Sequence, residues 1–167
     1  MINTYDTLSL LAEIAIAIAG FSGIVIGLGG YSLSSVSILE KRRLNNLFLL
    51  SGFVLLMSLL AIALLHLGIA DNALLWRGGS AAIFLLGTPW LIFDTLKIVH
   101  MDATEKAKIN WAVFYVFDAV VIGVLILQVV NVLLFRLDWP FILALVIATV
   151  GAFQQFILIV QTKLRDS

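Results

Sequence analysis

Long apolar stretches, broken at fairly regular intervals by short polar ones, dominate the chain. A hydrocarbon layer of ~30 Å needs about 20 largely apolar helical residues, and five windows meet that need: about 8–29, 44–70, 79–98, 111–135 and 140–160. The third is the least regular, with Pro89 near its middle and Asp94 and Lys97 toward its end. The pattern therefore predicts an all-α, polytopic transmembrane helical bundle with five spans. No Pro-rich, Ser-rich or low-complexity linker interrupts it, and no inverted repeat is evident, so a single transmembrane helical domain over 1–167 is the expected organisation. The connections Gly30–Arg43, Asp71–Gly78, Val99–Asn110 and Arg136–Trp139 are too short for a second domain.

Charge placement gives these spans a direction, because Lys and Arg concentrate in the cytoplasmic connections of membrane proteins. With the N-terminus outside, one side holds Lys41, Arg42, Arg43, Lys97, Lys106, Lys108, Lys163 and Arg165, and the other only Arg77 and Arg136. The expected C-terminus is cytoplasmic. The apolar run before Ala17-Ile18-Ala19 raises a signal peptide, but no Lys or Arg precedes Lys41, so a retained first helix is the better reading.

Composition agrees with a membrane address. Apolar residues make up 62% and charged residues 12%, with a mean hydropathy of +1.14, outside the range of ordinary soluble domains. The formal net charge is zero and the longest basic run is Lys41-Arg42-Arg43, so nucleic acid is not an expected partner. With no cysteine, disulfides, thiolate metal sites and cysteine nucleophiles are ruled out. His66 and His100 fall near opposite ends of the predicted spans and so cannot share a metal or haem. No zinc-protease, nucleophile-elbow or phosphate-loop motif is present. The chain is read as a non-enzyme without cofactor or metal, its first partner being the lipid bilayer.

In the first window Ala12, Ala15, Ala19, Gly23, Gly27 and Gly30 fall within about 60° of one line at ~100° per residue. Such small-residue seams let helix backbones approach closely in lipid. The seam serves either packing within a protomer or contact with a second subunit. Ile14, Ile18, Phe21, Val25 and Leu28 take the opposite side, toward lipid or bulkier neighbours. The segment Ala19-Gly20-Phe21-Ser22-Gly23-Ile24-Val25, within 12–25, resembles the opening helix of small uncharacterised bacterial inner-membrane proteins that carry an AGFSGIV-like stretch. The resemblance covers one span, implies a multi-pass bacterial inner-membrane protein, and brings no activity or site residues with it.

Ionisable residues within the spans are the candidate chemistry, since each costs about 2.5–3.5 kcal/mol at a helix centre on insertion scales and needs a partner or water. Glu13 flanks the small-residue seam. Asp94 has Lys97 three residues on as an available neutralising partner, while Gly87 and Pro89 before it predict a kink that frees a backbone carbonyl. Asp118 has no cation on its own helix, and Gln154 and Gln155 reach a comparable depth in the last span. Gln128 and Asn131, like Gln154 and Gln161, form short polar stripes suited to interhelical hydrogen bonds. Gln128 lies about 80° around the helix from Asp118, so no continuous polar wire runs along the fourth span. These residues point first to a homo-oligomeric channel or pathway for protons or small cations, with Asp118 and Glu13 as its principal acids. The alternative is a non-catalytic interaction subunit, anchor or sensor that meets another membrane protein through the first helix; a small-solute transporter ranks third.

Overall fold

The computed structural model describes residues 3–28, 37–68 and 72–166. These residues form α1 (Thr4–Leu28), α2 (Ile38–Leu67), α3 (Asn72–Val99), α4 (Ala103–Lys106), α5 (Trp111–Val130), a π-helical turn (Asn131–Phe135) and α6 (Asp138–Asp166), and no strand occurs among them. Five of the helices are long and apolar enough to cross a membrane: the segments Thr4–Ile24, Ile38–Leu67, Ala73–Val99, Trp111–Phe135 and Asp138–Thr162. The protein is an all-helical, multi-pass membrane protein.

Helix ends differ from the predicted windows wherever polar residues extend a helix beyond the apolar stretch. Helix α2 starts at Ile38, so Lys41, Arg42 and Arg43 occupy its first turns and not a connection. The cause is a capping box: Ser37 N–H donates to Glu40 Oε2 at 2.9 Å, and Glu40 N–H to Ser37 Oγ at 3.2 Å. Helix α3 likewise starts at Asn72 and carries Arg77 within it. The stretch predicted as the connection Val99–Asn110 contains α4, capped by Asp102, and Asn110 caps α5 by accepting from Val113 N–H at 3.3 Å.

The chain divides into two compact units, Met1–Leu60 with Leu145–Ser167, and Ala61–Ala144; α2 and α6 supply residues to both. In the first unit, Ile18 of α1, Leu47 of α2, and Ala152 and Ile159 of α6 form a buried cluster, with Leu44, Leu50 and Phe156 against it. In the second unit α3 packs on α5 and on the π turn. There a Cβ on Gly79 would meet the Phe141 ring at 2.8 Å, and one on Gly87 would meet Leu125 Cδ2 at 2.9 Å. The two glycines set the close approach at these points. Pro89 is exposed and α3 is helical on both sides of it.

Candidate functional site

In the second unit, Trp76, Ser80, Ile83, Asp94 and Ile98 are buried, tracing a stripe spaced by three, four or multiples of seven that Gly87 shares. On α5, Phe114, Asp118 and Val121 are half-buried and Leu125 and Gln128 fully so. Two contacts fix how these antiparallel stripes meet. Asn131 Nδ2 donates to Ser80 Oγ at 2.8 Å, and the Gly87 backbone lies against Leu125. Seven residues advance a helix by ~10.5 Å and return nearly to the same face. One heptad on from Gly87 is Asp94, and one heptad back from Leu125 is Asp118. The register therefore sets the two acids level on the facing stripes.

Asp94 is only 6% exposed, whereas Lys97 is exposed. Asp94 therefore lies on the face of α3 that Gly87 sets against α5, and Lys97 lies off it. Both Asp94 and Asp118 are engaged in polar or electrostatic interactions. Trp90 Nε1, one turn before Asp94, is buried with no hydrogen-bond partner among the described residues. An indole N–H is a donor only, and so adds a group able to bind water or an anionic oxygen near the acids.

A denser polar cluster closes the same seam at its other end. Asn131 also donates to Leu137 O at 2.9 Å and accepts from Leu137 N–H at 3.0 Å, while Arg136 N–H bonds Asn131 O at 3.0 Å. The last bond spans five residues and makes the π turn; Arg136 then leaves it at φ 58, in the left-handed region. Gln128 Nε2 donates to Pro140 O at 2.9 Å and to Val124 O at 3.3 Å. These side chains fasten the turn into α6 and belong to architecture.

The remaining predicted residues lie in the first unit, apart from the exposed Pro89 and the packed Gly87 already placed. Glu13 is exposed on α1 while its neighbours Ala12 and Ala15 are buried. The packed line on this helix runs Leu8, Leu11, Ala15, Ile18, Ser22, alternating steps of three and four. The small-residue seam instead advances mostly by four, which turns it ~40° per step. It starts in the packing and walks out: Ala19 is half-buried, and Gly23 is exposed with nothing within 4 Å of an added Cβ. Gly30 and the surroundings of Gly27 lie outside the described residues. Gln154 and Gln155 are half-buried on α6 in the first unit, whereas Asp118 belongs to the second. On the opposite side of α1 from Gly23, Ile14, Ala17 and Phe21 line an open groove of about 390 Å³ with Val150 and Phe153.

Sequence reasoning passed over the serines. Ser51 and Ser58 on α2, and Ser80 on α3, are at most 2% exposed. The signal was available, since 51 and 58, like 80, 87 and 94, are heptad-spaced within apolar sequence.

The chain matches no protein-family model, no curated protein and no solved structure.

Proposed function

We propose that this membrane protein forms a homo-oligomeric pathway for protons or small cations, with Asp94 and Asp118 as the pair that takes up the passing charge. The observation that carries the reading is the α3–α5 register, which opposes the two acids inside the spans. An acid in hydrocarbon needs a partner, and two acids at one level on facing stripes give a passing proton or cation oxygen ligands from both helices. Asp94 thereby moves from the weaker to the leading candidates. Glu13, exposed on α1 in the first unit, is the further acid of this reading. The asymmetry of Lys and Arg supports an outside N-terminus, and the AGFSGIV resemblance supports a bacterial inner membrane.

The test is flux into liposomes reconstituted with the purified protein of known assembly size. Asp118→Asn and Asp94→Asn should each lower proton or cation flux about tenfold or more, equivalent to ~1.4 kcal/mol. The double variant should lose little beyond either single change, because the two groups act as one unit. Undiminished flux in both single variants would remove the proposal.

The exposed Gly20 and Gly23 face favours one other reading, a non-conducting interaction subunit that packs against a partner through α1. It predicts a silent protein whose assembly size changes on Gly23→Leu.

A further inference from the structure

Hydroxyls inside a membrane helix ordinarily hide their polarity by bonding the carbonyl one turn back. Three in the first unit do so: Ser22 Oγ to Ile18 O at 2.6 Å, Thr149 Oγ1 to Leu145 O at 2.8 Å, and Thr162 Oγ1 to Leu158 O at 2.8 Å. Ser51 and Ser58 depart from that habit. They are 2% and 0% exposed, and their Oγ atoms have no hydrogen-bond partner among the described residues. Leaving such a group unsatisfied in an apolar setting costs several kcal/mol on transfer scales, roughly 2–7.

A third oxygen stands level with Ser51. Arg43 Nη1 donates to Thr162 Oγ1 at 3.0 Å, which registers α2 against α6, and one turn inward Leu47 and Ile159 share the buried cluster. The next turn on each helix brings Ser51 level with Gln155. The Gln155 Oε1 atom is also buried and has no partner among the described residues. A carboxamide oxygen accepts only, and a serine hydroxyl both donates and accepts. Water can donate to the first and exchange bonds with the second, whereas an apolar neighbour satisfies neither. Ser58 lies one heptad further along the same face, ~10.5 Å on.

We propose that Ser51, Ser58 and Gln155 bind water, forming a hydrated seam along α2 that begins at the Arg43–Thr162 bond and extends through Ser58. The ligand is water itself, held by neutral oxygens; the site lies in the first unit and does not depend on the Asp94–Asp118 reading. Ser51 to Ser58, added to the eight residues from Arg43 to Ser51, makes a path of roughly 22 Å along the helix, most of a ~30 Å hydrocarbon layer. Buried water of this kind makes about two to four hydrogen bonds and persists as part of a structure.

The experiment is solid-state NMR on the intact protein in lipid bilayers, with serine carbons labelled and magnetisation transferred from water protons. Ser22 and Ser80, whose hydroxyls have protein partners, are internal dry controls, and Ser37, at the N-cap of α2, marks aqueous exposure. Ser51→Ala and Ser58→Ala serve only to assign signals, so the result does not depend on how the variants fold. Ser51 and Ser58 are expected to build up water signal at a rate close to that of Ser37 and at least severalfold above Ser22 and Ser80. Build-up at both no faster than at Ser22 and Ser80 would overturn the hydrated seam.

Discussion

The two compact units differ in where their buried polar side chains find partners. In the second, Asn131 and Gln128 reach across to other elements, to Ser80, Leu137 and Pro140. In the first, Arg43 reaches Thr162 from α2 to α6, but the hydroxyls of Ser22, Thr149 and Thr162 itself turn back on their own helices. A bond to another element specifies geometry, since it forms at one register only. A bond to one's own helix conceals polarity and leaves the register to packing. Close glycine contacts occur in the second unit, where Gly79 and Gly87 are pressed against Phe141 and Leu125 although Gly78 and Gly123 are open, while Gly20 and Gly23 of the first have open space around an added Cβ. Both units hold buried polar atoms with no partner among the described residues, Thr88 Oγ1, Trp90 Nε1 and Gln128 Oε1 in the second and Ser51, Ser58 and Gln155 in the first. The second is fastened by more bonds between elements, and the first retains a bare helix face.

The largest effect that would break this contrast is expected at Asn131. Asn131→Leu removes the bond to Ser80 and both bonds to the Leu137 backbone. At roughly 0.6–1.7 kcal/mol per bond inside a membrane, the loss of three bonds should total about 2–5 kcal/mol. Reversible unfolding in mixed micelles checks it; a change below about 0.5 kcal/mol, the range of inconsequential substitutions, would mean the cross-element bonds specify little.

Glycine substitutions come next in size. Gly79→Ala forces a methyl to 2.8 Å from two carbons of the buried Phe141 ring. Overpacking of that kind costs about 1–3 kcal/mol. Gly23→Ala meets nothing within 4 Å, so it should be neutral or gain up to about 1 kcal/mol of helix propensity. Equal losses at the two positions, in the same unfolding measurement, would show that the Gly23 face is covered by a second copy in the assembled protein.

How much of this was legible in the sequence follows from what each feature depends on. The five spans depend on local apolar length and could be read directly; the end of the fourth, at Phe135, was placed to the residue. Helix starts were missed where a cap outruns the apolar window, although Ser37-Ile38-Leu39-Glu40 has the spacing of a capping box. Asp94 and Asp118 could each be named as intramembrane acids, but their common level needs the α3–α5 register, which Ser80 and Gly87 fix through long-range contacts. Lys97, close along the chain, drew attention as a partner that burial does not favour. The same dependence hid the serines: Ser22 and Ser51 have similar sequence surroundings, and only the bonds made or not made separate them.

The smallest effect sharpens the comparison by separating the second unit's aqueous connection from its seam. Asp102 caps α4, accepting from Glu105 N–H at 2.8 Å and from Thr104 Oγ1 at 2.7 Å. The Glu105 backbone bond, then the Thr104 hydroxyl, hold its carboxyl below the ordinary aspartate value. A depressed folded-state value means the cap's contribution is fully present above the unfolded pKa of about 3.9 and is lost as pH falls through the lower, folded one. The Glu105 amide resonance should therefore shift with a midpoint below that of a free aspartate, and the transition should vanish in Asp102→Asn, which retains a capping side chain. Asn131 and Ser80 carry no titrating group, so their resonances should stay still through the same range. If they move with the Asp102 midpoint, the cap and the seam form one cooperative element, and the second unit's rigidity extends from its hydrogen-bonded turn to its aqueous edge.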